Sequence, residues 1–189
     1  MLSWLLAASV AVSATTTKDK AELQKGLEGA LRGCEEWVLN PASWVDGPKP
    51  FLAKVGLGGK MGLVDRVDET NLPPPEFRVA NHYWRINATL GAGFVLVVSD
   101  QLPMCHITGG GDTDLQPVAT SVLESEAFKA HWKLVSEAVR DGMASSAYTS
   151  VKEPQFSITV SRAEKPGERL DRVQLLVTGA FNMSQQPSP

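Results

Sequence analysis

Cys105 and His106 are neighbours in the stretch PMCHITGGGDTD, residues 103–114, and three glycines and two aspartates follow them. A cysteine beside a histidine suggests a thiolate nucleophile with its base. Glycines ahead of a helix start can turn backbone N–H groups toward an anion. An aspartate pair can ligate a hard cation or exchange a proton. Each chemistry meets an obstacle in the residues themselves. Adjacent side chains on a strand leave by opposite faces, so His106 does not readily serve Cys105 as a base. His82 or His131 would have to be brought there by folding. Gly109, Gly110 and Gly111 stand without a Lys or Arg, and Asp112 and Asp114 repel a phosphate. A short Asp-x-Asp offers too few oxygens for calcium. The other glycine stretch, GLGGK, fails the phosphate-loop pattern, because Lys60 is followed by Met61 and Lys54 takes the place of the first glycine. The three histidines form no HExxH pair, and two cysteines are too few for a sulfur-based metal site. We expect no metal, no cofactor and no catalytic residue. The expected role of the stretch is architectural: Cys105 pairs with Cys34, the glycines turn the chain, and Asp112 or Asp114 caps the next helix.

A second group is His82-Tyr83-Trp84-Arg85. On a strand Trp84 and Ile86 share one face, expected in the core. Tyr83 and Arg85 share the other, which is either solvated or a recognition surface for a carboxylate or an aromatic partner. The candidate ligand-binding residues are therefore His106, Gly109, Gly110, Gly111, Asp112, Tyr83 and Arg85. Asn87-Ala88-Thr89 and Asn182-Met183-Ser184 match the N-glycosylation acceptor, which has meaning only in a eukaryotic secretory pathway.

The elements that must position these residues are written in the hydrophobic spacing. From Asp19 to Val38, Leu23, Leu27, Ala30, Leu31, Cys34 and Trp37 recur at intervals of three and four, one buried helix face with Cys34 upon it. Gly26, Gly29 and Gly33 beside that stripe permit close approach of a neighbour. Asn40 to Pro50 is turn chemistry. FLAKV and MGLVDRV read as a hairpin about GLGGK, followed by strands in FRVANHYWRINATL and GAGFVLVVSD. Phe94 to Val98 is apolar on both faces, as in a strand covered on both sides. Asp114 and Pro117 open a helix running to about Glu124. It restarts near Ser125 and carries Phe128, Trp132 and Val135. A strand at residues 147–151 and the alternating runs FSITVS and RVQLLVTGAF, joined by a charged loop, end the pattern.

Helix, about six short strands, helix and three more strands make an α+β domain: a mostly antiparallel sheet covered by an N-terminal helix and a central helical segment. Profilin-like and PAS-like arrangements share that order of elements. The chain has 189 residues, 43% hydrophobic and 21% charged, which suits a single globular domain over residues 15–182. A net charge of −3 and the lack of any basic cluster argue against nucleic acid. Leu2 to Val12, ahead of Ser13 and Ala14, fits a signal peptide over residues 1–14, although no Lys or Arg precedes it. The run is too short to span a membrane. Residues 183–189 read as a disordered tail. In an exported chain, two cysteines point to a disulfide.

These residues suggest a periplasmic or extracellular domain, stabilised by the Cys34–Cys105 disulfide, that binds a protein or small ligand. Two other readings compete with it. One is a thiol-dependent or acid/base enzyme centred on Cys105, His106 and the GGGDTD turn, and the other is a cytosolic ligand-sensing domain.

Overall fold

The computed structural model describes residues 16–167 and 173–181. The expected signal peptide and the expected tail lie outside them. Helix α1 (Thr17–Leu39) leads to α2 (Pro48–Val55), and then come the strands β1 (Met61–Val64), β2 (Asn81–Ile86), β3 (Ala92–Ser99) and β4 (Met104–Gly111). Two short helices follow, α3 (Gln116–Leu123) and α4 (Glu126–His131). The strands β5 (Trp132–Arg140), β6 (Met143–Ser150), β7 (Phe156–Ala163) and β8 (Leu175–Phe181) complete the order. Among the described residues the eight strands form one antiparallel sheet in the order β1-β2-β3-β4-β8-β7-β6-β5. The class is α+β, with the helices on one face.

Helix α1 begins where Thr16 Oγ1 accepts the Asp19 N–H at 3.1 Å, a capping bond that satisfies one of the free donors of the first turn. Its apolar stripe packs on β3, β4 and β8, with α2 and α3 on its flanks. Leu23, Ala30, Phe51, Leu96 and Ile107 are fully buried between the helices and the sheet. Each large apolar side chain buried there contributes about 1.5–3 kcal/mol. Gly33 sets the helix close to the sheet, because a Cβ there would lie 2.9 Å from Leu96 Cδ2. Cys34 and Cys105 form the expected disulfide, with Cα atoms 5.3 Å apart and a sequence separation of 71.

Three expected elements differ. FLAKV is not a strand but the body of α2, which has Pro48 in its first turn and Gly56 in the left-handed conformation at its end, φ +72°. The helix expected to run through Trp132 to Val135 stops at His131, where the chain becomes the edge strand β5. Trp132 is buried, but Val135 is 61% exposed. The third is the glycine run. Gly109, Gly110 and Gly111 do not turn the chain; they are the end of β4, paired with Phe94, Gly93 and Ala92 of β3. Close packing explains the glycine: a Cβ at Gly109 would sit 2.7 Å from the Phe94 ring. The turn comes after them, and the expected aspartate cap is absent: Leu115 occupies the N-cap position of α3 with no side-chain cap, while Asp114 Oδ1, one residue earlier, accepts the Gln116 N–H at 2.9 Å. The restart at Ser125 is present, its Oγ accepting the Phe128 N–H at 3.1 Å.

Candidate functional site

Because strand side chains alternate, the face of β2, β3 and β4 turned away from the helices carries Tyr83 and Arg85, then Gly93, Val95 and Val97, then His106, Thr108 and Gly110. The register sorts them into rows across the sheet. Tyr83, Val97, His106 and Thr178 make one row, and Arg85, Val95, Thr108 and Leu176 the next. In the row beyond, Gly93 lies opposite Gly110, so no side chain rises from either strand. That gap underlies an open cavity of about 440 Å³, which is lined by Arg85, Val95, Thr108, Gly110, Gly111 and Asp112.

The segment between β1 and β2 supplies the far wall. Asp68 and Asn71 line the cavity, and Asn71 Oδ1 accepts the Thr108 hydroxyl at 2.6 Å. The turn after β2 closes another side with Asn87 and Thr89, the latter's hydroxyl donating to the Ala92 carbonyl. Behind the glycine end of β4 stands the buried Gln174. Its Nε2 donates to the carbonyls of Gly111 and Thr113, and its Oε1 accepts the Leu115 N–H. One side chain thereby ties the segment that enters β8 to the end of β4 and to the loop before α3.

Of the candidate residues read from sequence, Arg85, Gly110, Gly111 and Asp112 line this cavity together. Tyr83 is half-buried one row away, and Gly109 faces the helices beneath Phe94. His106 does not line it either. It does point away from Cys105, as strand geometry requires, but it is 1% exposed. Its Nδ1 lies 3.0 Å from Thr178 Oγ1, and its Nε2 is buried without a partner among the described residues. Burial pushes its pKa down to about 4.

Arg85 is exposed, and among the described residues no hydrogen bond or ion pair engages its guanidinium. An unengaged guanidinium presents planar, fork-like donors suited to a carboxylate. Asp112 is exposed on the same lining. The arrangement can therefore hold a small polar molecule at both a cationic and an anionic point. Asp68, Asn71 and Gln174 escaped the sequence reading, since their segments carry turn-like or apolar patterns with no mark of their meeting in space, and Asn87 entered it only as a glycosylation acceptor.

Among the described residues, no three His, Cys, Asp or Glu side chains gather as a metal site, and no helix is long and apolar enough to cross a membrane. No protein-family model, curated protein or solved structure matches the chain, so neither the profilin-like nor the PAS-like order of elements gains a relative.

Proposed function

We propose that the chain is a small exported, disulfide-stabilised binding domain whose back-face cavity takes a small polar ligand bearing a carboxylate. The observation that carries this reading is the meeting of an unengaged Arg85 with Asp112 over the hollow left by Gly93 and Gly110. Export draws support from the Cys34–Cys105 bridge, a bond that persists in oxidising compartments. The same bridge counts against a thiol-dependent enzyme, because it occupies the sulfur that a cysteine nucleophile needs. The acid pair fares little better, since Asp114 is engaged by the Gln116 N–H.

Titration of the ¹⁵N-labelled protein with acetate, glycine and citrate tests the site. The expected result is saturable movement of the resonances of Arg85, Gly110 and Gly111, lost in Arg85→Ala. Shifts that stay absent throughout, or that survive Arg85→Ala unchanged, would refute it. Export is tested by mass spectrometry of the native protein, and an intact N-terminus at Met1 would count against it.

A further inference from the structure

The charged lining of the back-face cavity is one cation, Arg85, against two anions, Asp68 and Asp112. A ligand whose only charge is a carboxylate meets Arg85 but leaves two like charges facing it. A ligand that also bears an ammonium group is matched at both ends. Asp112 is placed to receive that group. Among the described residues no hydrogen bond or ion pair engages its carboxylate, while its N–H donates to the Gly91 carbonyl at 2.8 Å and fixes it at the glycine end of the cavity.

The register sets how far apart the two groups stand. Arg85 lies opposite Val95 of β3, and Asp112 follows the Gly111–Ala92 pair, level with Gly91. The step from Val95 to Gly91 at about 3.3 Å per residue, with two strand spacings of about 4.8 Å, puts the two backbones roughly 16 Å apart on the diagonal. Side chains stand roughly perpendicular to a sheet, so the charged tips keep most of that separation. Contacts of about 3 Å at each end leave about 10 Å for the ligand. A single amino acid, at about 3.5 Å per residue, reaches only one of the two groups, whereas an extended run of three residues spans about 10 Å. Between the ends Gly93 and Gly110 raise no side chain, and Asn71 and Asn87 on the lining offer amide groups that pair with peptide groups. The volume of about 440 Å³ lies within the range of small-ligand sites, about 300–1,000 Å³.

We propose that the ligand of this cavity is an extended zwitterion, a peptide of two or three residues with both termini free, whose carboxylate is held by Arg85 and whose ammonium group is held by Asp112. The inference rests on the carboxylate site proposed above and adds the second charge and the length. An ω-amino carboxylate shares the same two charges at a similar spacing but lacks the peptide groups.

The test titrates the ¹⁵N-labelled protein with triglycine, N-acetyltriglycine, glycine and 6-aminohexanoate, following Arg85 and the Asp112 amide. Triglycine is expected to move both and to bind about fivefold tighter than N-acetyltriglycine, which has lost the ammonium charge, the upper range for one exposed ion pair. Glycine is expected to move Arg85 alone. Asp112→Asn, an isosteric change at an exposed position, is expected to bring triglycine down to the affinity of N-acetyltriglycine, and Arg85→Ala to abolish the binding of both. Triglycine binding more tightly than 6-aminohexanoate identifies a peptide as the source of the two charges, and equal affinity identifies an ω-amino carboxylate. Equal affinity for triglycine and N-acetyltriglycine in the native protein would overturn the proposal, as would a preference that survives Asp112→Asn; if Arg85→Ala still abolished binding in either case, the carboxylate site itself would stand. Resonances of Arg85 that no ligand moves would overturn both.

Discussion

His106 makes the stability of this domain depend on pH above the carboxylate range. Its ring is buried beside Thr178, its Nε2 has no partner among the described residues, and its pKa falls from 6.5 to about 4. In the unfolded chain the imidazole takes a proton as pH drops through 6.5, whereas in the folded chain it stays neutral until about 4. Between those values the unfolded state binds more protons, so stability falls as pH falls. The interval from 6.5 to about 4, at about 1.4 kcal/mol per pH unit, is worth about 3 kcal/mol. For a domain of ordinary stability that is a large share of the total. The assay is urea unfolding followed by tryptophan fluorescence at intervals from pH 7.5 to pH 4, on the native protein and on His106→Asn, which keeps an amide near Thr178. Glu22, whose carboxyl the Lys60 hydrogen bond holds below its ordinary value, loses its contribution only at the acid end and does so in both proteins. The native protein is expected to lose about 3 kcal/mol more than the variant across this range. Parallel curves for the two proteins would refute the reasoning.

The Cys34→Ser/Cys105→Ser double variant is expected to lose up to about 4 kcal/mol, the chain-entropy value for a loop of this length, and reductant should reproduce the loss; unchanged denaturant midpoints would count against it. Gly179→Ala places a Cβ 2.7 Å from Cys105 Sγ and 3.0 Å from Cys34 Sγ. Overpacking of this kind costs about 1–3 kcal/mol, and a double-mutant cycle is expected to show that cost shrinking when both sulfurs are replaced by serine. Ser125→Ala removes the cap of α4 and is expected to cost about 1 kcal/mol in the same unfolding assay. Arg85→Ala, at an exposed position, is expected to change stability by less than about 0.5 kcal/mol while abolishing carboxylate binding.

The parts of the fold that were legible in sequence are those whose burial is one-sided and periodic. The stripe from Leu23 to Trp37 can be satisfied by one helix face, and Phe156, Ile158 and Val160 by one strand face. FLAKV was ambiguous because five residues are too few for a period to declare itself. Pro48 before it and Gly56 after it were the better guides to a helix. WKLVSEAVR has a helical composition, yet pairing with β6 overrides that preference. Asp141-Gly142, which both adopt positive φ in the turn between β5 and β6, is a hairpin signal that the sequence reading passed over. The glycine run was misread because glycine serves a tight turn and a close approach equally well. The cavity was half legible: Arg85 and Asp112 stood out by residue type, but the hollow between them comes from Gly93 meeting Gly110 across a register that no local pattern records.

The order of strands has a consequence for how the chain is made. Among the described residues β8 is the last strand in sequence, yet it lies between β4 and β7 at the middle of the sheet. Until residues 175–181 have been synthesised and delivered, β1–β4 and β5–β7 are two half-sheets, each with an open edge that invites wrong partners. Cys34 and Cys105 both precede β8, so the bridge can close while the sheet remains in two pieces. The non-local pairing of β4 with β8 joins residues about 70 positions apart, the kind of contact that folds slowly. A chain built in this way completes its sheet only when β8 is inserted between β4 and β7 as the closing piece.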